Sequence, residues 1–135
     1  MAKDELRRGR SVVSLLHAHL VFVTKYRRGI LNGEVLRRIE VASQGVCADF
    51  DVVLKEFNGE RDHVHLLVEY PPTVQLSKLV NSLKGVTSRK VREEFTHLKS
   101  KIEDALWSPS YFMGSVGGAP ISVLKQYIED QYRPD

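Results

Sequence analysis

Asp62-His63-Val64-His65-Leu66-Leu67-Val68-Glu69 is the stretch from which the chain can be read. Side chains on a strand alternate between its two faces with a period of two. Read as a strand, this stretch puts Val64, Leu66 and Val68 on one face and His63 and His65 together on the other. Two imidazoles side by side on a rigid element form a candidate metal-ligating pair. Pro71-Pro72 ends the strand, and upstream Asn58-Gly59 opens a short polar turn that links it to a strand over 51–57.

Working outward, residues 15–24 are rich in Leu, Val and Phe and read as a first strand. Residues 33–48 carry Val35, Leu36, Ile39, Ala42 and Val46 at helical spacing, with Asn32 as the cap. A long helix over 74–95 turns Leu76, Leu79, Val80, Leu83 and Val86 inward and sets Lys84, Ser88 and Arg92 in a separate polar stripe. A fourth strand spans 110–116. Gly117-Gly118 reads as a hinge, and Pro120 suits the first turn of a last helix. Residues 1–11 are polar and read as mobile. The order βαββαβ plus a C-terminal helix predicts an α+β fold, a ferredoxin-like or RRM-like sandwich. Its first and third strands are central antiparallel neighbours, so Lys25, Tyr26, Arg27 and Arg28 end the first strand close to His63 and His65. His17-Ala18-His19 begins that strand and is expected at the far end of the sheet from His63, partly buried or at the surface. His97 is expected to be exposed.

Composition sets bounds. The 135 residues make one domain, residues 1–135, and at 42% apolar the chain can build a core. Net charge is +3, a mild excess, but cations crowd the first third. A single cysteine, Cys47, excludes an internal disulfide and fits a reducing cytoplasm. There is no membrane-length apolar run and no apolar signal stretch behind the charged N-terminus. No Gly-x-x-x-x-Gly-Lys loop is present, and no motif picks out a carboxylate cluster for two-metal hydrolysis.

Gln126-Tyr127-Ile128-Glu129-Asp130-Gln131 places Tyr127 and Gln131 one helical turn apart. A metal pair plus a tyrosine nucleophile is the minimum equipment for breaking a DNA strand without ATP. Singly, neither half is specific: a His-x-His in a strand is usually structural, and a tyrosine beside Leu124 and Ile128 is usually packed. Five ordered blocks are more specific: Lys25-Tyr26-Arg27-Arg28, Asp62-His63-Val64-His65-Leu66-Leu67, Leu83-Lys84-Gly85, Leu106-Trp107-Ser108-Pro109-Ser110-Tyr111-Phe112 and the tyrosine motif. With them, nearly the whole chain resembles the HUH single-tyrosine transposases of the insertion-sequence 200/605 family.

The resemblance implies the same core fold. It implies that Tyr127 is the catalytic nucleophile and that His63, His65 and Gln131 bind a divalent metal, Mg or Mn. Imidazole by itself favours zinc, nickel or manganese over magnesium. Asp62 and Glu69 are candidates to orient a histidine from behind. The implied partners are single-stranded DNA with hairpins and a second copy, in a homodimer with active sites shared in trans. Candidate DNA contacts are Arg10, Lys25, Tyr26, Arg27, Arg28, Lys84, Ser88, Arg89 and Arg92. Trp107 and Tyr111 either stack on bases or pack the fourth strand. The alternatives are a domesticated nuclease of hairpin repeats with the same chemistry, a non-catalytic RRM-like nucleic-acid-binding module, and a small metal-binding or structural dimer. The RRM-like module would need exposed aromatics where the third strand has histidines.

Overall fold

The computed structural model describes residues 6–102, 105–115 and 121–132. In chain order the elements are β1 (Arg7–Arg8), β2 (Val13–Ser14), β3 (His17–Val23), α1 (Gly33–Asp49), β4 (Val53–Gly59), β5 (His63–Glu69), α2 (Leu76–Glu94), α3 (Lys99–Ile102), β6 (Phe112–Ser115) and α4 (Ile121–Glu129). The main sheet has the order β4-β5-β3-β6 with every neighbouring pair antiparallel. This is the expected α+β sandwich, with β3 and β5 at its centre.

One face of the sheet makes the core. Ala18, Leu20 and Phe22 of β3 and Val64, Leu66 and Val68 of β5 are buried against Val35, Ile39 and Val46 of α1 and Leu79, Val80, Leu83 and Val91 of α2. The period of two in the strands and the helical spacing in α1 and α2 meet in this layer. Asn32 Oδ1 accepts from Val35 N at 3.0 Å, so α1 starts where its cap predicts. Gly59 ends β4 where an added Cβ would run into the Leu36 side chain, so α1 approaches the sheet there only over a glycine. The opposite face carries His63 and His65.

Several segments differ from the sequence expectation: Asn58 and Gly59, read as opening the turn, are paired with His65 and Val64 inside β4. Within 1–11, residues 6–11 are described, and they are ordered as part of the β1–β2 hairpin. The reason is Arg7, whose guanidinium donates to Glu69 Oε1 at 3.0 Å and to Asp51 Oδ2 at 3.0 Å. A polar composition hides an anchor made by one side chain on two distant carboxylates. The fourth strand starts at Phe112 rather than at 110, and Val116, Gly117, Gly118 and Pro120 lie outside the described residues.

The other difference lies between α2 and β6. Leu98, Ile102, Leu106 and Trp107 are buried there, and Trp107 bridges to Thr24 at the end of β3. Trp107 Nε1 donates to the buried Thr87 Oγ1 of α2 at 2.9 Å, and its ring meets Phe22 at 5.8 Å between centroids. Trp107 is therefore core and is not available for base stacking. Tyr111 is half-buried against the same core. His97 is exposed, as expected.

Thr87→Val keeps the shape of that side chain but leaves the Trp107 N–H buried without an acceptor. It should lower unfolding free energy by about 1–3 kcal/mol, read from urea unfolding followed by Trp107 fluorescence.

Candidate active site

Strand register builds the first half of the site. Val23 pairs with His63 and Val21 with His65, so the end of β3 lies beside the start of β5 as the topology predicts. His63 Nδ1 donates to Asp62 Oδ1 at 2.9 Å, and Arg27 Nε donates to Asp62 Oδ2 at 3.2 Å. Burial pushes the Asp62 carboxyl up, but hydrogen bonds from His63 and Arg27 outweigh it and hold the group below its ordinary value. With Nδ1 turned to that carboxylate, Nε2 is the His63 nitrogen left for a metal. His65 is half-buried; burial lowers its pKa, His19 and His63 act in the same direction, and Glu56 opposes them. The ring is therefore neutral at neutral pH, as a ligand must be.

Two expectations around the histidines change. His17 does lie across from Glu69, at the far end from His63. His19 does not: its Nδ1 is 2.7 Å from His65 Nε2, and the two rings meet edge to edge with centroids 4.8 Å apart and planes at 21°. Across an antiparallel pair, diagonal neighbours on one face lie within reach of long side chains. With Val21 opposite His65, that diagonal neighbour is His19. Glu69 does not orient a histidine, because Arg7 holds its carboxylate.

The second half of the site is built on Ser108, Ser110 and α4. The Tyr127 ring packs on Phe112 at 5.7 Å, and its hydroxyl lies 2.9 Å from Ser110 Oγ. Gln131 sits beyond the end of α4 rather than on it, and its side chain folds back: Nε2 donates to the Tyr127 carbonyl at 3.1 Å. Its Oε1 accepts from Ser108 Oγ at 3.1 Å and Ser110 Oγ at 3.2 Å. Burial raises the Tyr127 phenol above its ordinary value, and the Ser110 contact only partly offsets this. The phenol is thus protonated at neutral pH.

The two halves share one end of the sheet. Ser108 N donates to Val23 O at 2.7 Å on one side of β3, while Val23 pairs with His63 on the other. Two strand spacings, roughly 10 Å, separate the Ser108 and His63 backbones. Among the described residues no three His, Cys, Asp or Glu side chains cluster to hold a metal. The Gln131 amide oxygen lies at this end of the sheet, on the Ser108 and Ser110 hydroxyls.

Sequence reasoning missed Ser108 and Ser110 and assigned Lys84 and Ser88 differently. Lys84 Nζ donates to the carbonyls of Ser108, Pro109 and Ser110 at 2.7, 3.2 and 3.2 Å, and burial lowers its pKa. Ser88 Oγ accepts from Leu106 N at 3.3 Å. Both residues, expected on DNA, brace the segment that carries the serines. The polar stripe on α2 was the available signal, but nothing local to it shows that 106–110 is what it faces.

The remaining cations divide by location. Tyr26 and Arg27 adopt left-handed backbone, φ 61° and 53°, a conformation that costs energy in residues other than glycine. Lys25 Nζ and the Arg28 guanidinium flank the Tyr26 ring at 5.5 and 5.4 Å. Tyr132 meets that ring edge-on at 5.8 Å. Lys25, Tyr26, Ser108, Gln131 and Tyr132 line a recess of about 220 Å³ beside the serine cluster. Arg10 is exposed next to the β1–β2 turn, and Arg89 and Arg92 lie on α2, across the sheet from the histidines.

The sequence profile described as "Transposase IS200 like" matches residues 12–131. Over 129 residues the chain is 31% identical to ISDra2 transposase TnpA of Deinococcus radiodurans, covering 95% of this chain and 92% of that one. It is 32% identical over 118 residues to the transposase for insertion sequence element IS200 of Salmonella typhimurium, covering 87% and 77%. A crystal structure of a transposase from Deinococcus radiodurans superposes with a TM-score of 0.88 at 31% identity, covering 94% of this chain and 98% of that one. A REP-associated tyrosine transposase bound to a REP hairpin superposes with a TM-score of 0.51 at 13% identity, covering 93% and 68%, which is a likeness of fold.

Lys84→Met removes the ammonium that gathers the three carbonyls. Amide exchange over 106–110 should quicken while α1 stays protected, and stability should fall by about 1.5–3 kcal/mol. Hydrogen exchange with mass-spectrometric readout, alongside urea unfolding, checks both.

Proposed function

The chain belongs to the IS200-like transposase family, and from that premise we propose that it cuts and rejoins single-stranded DNA at insertion-sequence ends with Tyr127 as the nucleophile. The observation that carries this reading is the hydrogen-bonded group of Tyr127, Gln131, Ser108 and Ser110 across one strand from His63 and His65.

A phenol is a poor nucleophile while protonated, and Tyr127 is held in that form. Ser110 and Phe112 fix its hydroxyl in position before reaction. In the cleavage step Tyr127 Oη forms a bond to phosphorus and the P–O3′ bond breaks. The phenolic proton leaves to solvent, and the departing oxygen takes up a proton to become a 3′ hydroxyl. The product is a 5′-phosphotyrosine link. Rejoining reverses the bonds: a 3′ hydroxyl attacks phosphorus and the Tyr127 phenol is released. One ester replaces another at each step, so no nucleotide is consumed. This agrees with a chain lacking a nucleotide-binding loop motif.

The donors present fit a divalent cation, Mg or Mn. Nε2 of His63 is turned away from Asp62, His65 is neutral, and Gln131 would bring its amide oxygen by releasing the Ser108 and Ser110 hydroxyls. When bound, the cation would draw charge from the non-bridging phosphate oxygens and orient the diester. Asp62 keeps the His63 ring in its ligating form, with Arg27 holding Asp62 in turn.

The DNA is expected to run past Lys25, Tyr26, Arg27 and Arg28, where left-handed backbone projects an aromatic ring between cations. A hairpin in the same strand would be bound by the wider basic surface, including Arg10, Arg89 and Arg92. No helix among the described residues is long and apolar enough to cross a membrane.

The reading extends to a homodimer in which α4 completes the partner's site. Here α4 docks on its own sheet through Tyr127, Gln131 and the serines. A partner offers the same serines and the same Phe112, so exchange would remake every contact it breaks.

Tyr127→Phe should abolish cleavage of hairpin-bearing single-stranded DNA, at least a thousandfold in rate, and with it the covalent adduct, while hairpin binding persists. Mass spectrometry of the wild-type adduct should map to Tyr127; an adduct on Tyr132 would overturn the assignment. Sharing in trans is tested by mixing Tyr127→Phe with His63→Ala/His65→Ala under conditions that exchange subunits. Cleavage should return in the mixture. A mixture and a co-expressed heterodimer that both stay inactive would mean that each protomer uses its own tyrosine.

A further inference from the structure

We propose that His19 is a positioning residue for His65, holding that ring by an in-plane hydrogen bond in the orientation and tautomer it presents to a divalent cation. The inference rests on the reading of His63 and His65 as cation ligands.

A histidine that binds a cation is usually held through its other ring nitrogen by a fixed polar group, which sets the ring's rotation and the position of its hydrogen. His63 has that group in Asp62, on its Nδ1. The residue before His65 is Val64, whose side chain is buried on the opposite face of the sheet. His65 is held instead from the neighbouring strand, where His19 Nδ1 lies 2.7 Å from its Nε2. The two ring planes are 21° apart with centroids at 4.8 Å, so the rings meet edge to edge and the hydrogen bond lies close to both planes, the alignment that fixes the rotation of His65. Glu56 of β4 and His63 are the other charged or titratable groups that bear on His65.

In a contact between two neutral imidazoles, one nitrogen carries the hydrogen and the other accepts it. If His65 Nε2 donates to His19 Nδ1, the lone pair of His65 sits on Nδ1. The two ligands would then be held from opposite ring positions: His63 tied at Nδ1 and offering Nε2, His65 tied at Nε2 and offering Nδ1. His17, across from Glu69, takes no part. His-x-His in the first strand is therefore not a second site; one of its histidines serves the first.

The test measures Mn²⁺ binding by electron paramagnetic resonance on the purified chain, as wild type, His19→Leu, His19→Asn and His65→Ala. Thermal melting is recorded for each without metal. His19→Leu should melt like the wild type yet bind Mn²⁺ roughly ten- to a hundredfold more weakly. His19→Asn, which can still hydrogen-bond to His65, should recover most of the affinity. Nitrogen-15 spectra of the metal-free wild type should show His65 with its hydrogen on Nε2, and a mixture of tautomers in His19→Leu. Equal affinity in wild type and His19→Leu would overturn the inference and leave the metal reading standing. Manganese broadening centred on the His19 nitrogens would also overturn it, by making His19 a ligand. Should His19→Leu fail to fold, His19→Phe, which fills the space without a ring nitrogen, replaces it: a loss of roughly tenfold or more would support the inference, and wild-type affinity would overturn it. A wild type that binds no Mn²⁺ would sink the metal reading and this inference together.

Discussion

The register between β3 and β5 is the constraint on which the site depends. Val23 opposite His63 fixes which end of the sheet holds the imidazoles, and Val21 opposite His65 brings His19 across to the same ring. A slip of one residue would turn the histidines into the core and the core into solvent. The alternation of Val64, Leu66 and Val68 therefore guards the site: the apolar face penalises any pairing that misplaces the polar one. The tight turn that follows β3, with two consecutive left-handed residues, then returns Arg27 to Asp62.

The second half of the site depends on packing rather than on register alone. Trp107 buries itself between Phe22 and Thr87, Ser108 bonds to Val23, and Lys84 gathers the carbonyls of 108–110 from the side of α2. A charge placed among carbonyls is well satisfied but costly to leave alone, so Lys84 and the serine segment stabilise one another. Removal of either would expose the other's polar groups. Tyr127 and Gln131 meet serine hydroxyls whose positions have already been set by residues far away in sequence.

Much of the fold was legible because it rests on periodicity. The strand pattern around His63, the helical spacing in α1 and α2 and the Asn32 cap are local signals, and each appears in the structure where it was read. What was not legible is long-range pairing. Arg7 reaching Glu69 and Asp51, His19 meeting His65 and Lys84 holding Ser108 all join residues that no local pattern connects. The candidate site residues His63, His65, Tyr127 and Gln131 were picked out by type and spacing, and the side chains that hold Ser108 and Ser110 were not. Trp107 shows the opposite error. An aromatic in a motif-rich block invites a ligand-facing role, yet its indole nitrogen has a buried partner.

The path of the chain along the outer side of β3 has a mechanical consequence. It joins that strand at Trp107 and Ser108, leaves it over 109–111, and rejoins it at Phe112, opposite Val21. Residues 109–111 thus form a detour in what would otherwise be one edge strand, in the manner of a bulge, which re-aims side chains while both attachments stay in place. The detour acts as a gauge of fixed length. Its span decides how far the Ser110 hydroxyl stands from the sheet, and so at what height the phenol of Tyr127 comes to rest above it. Sequence can drift around such an arc more freely than its length can.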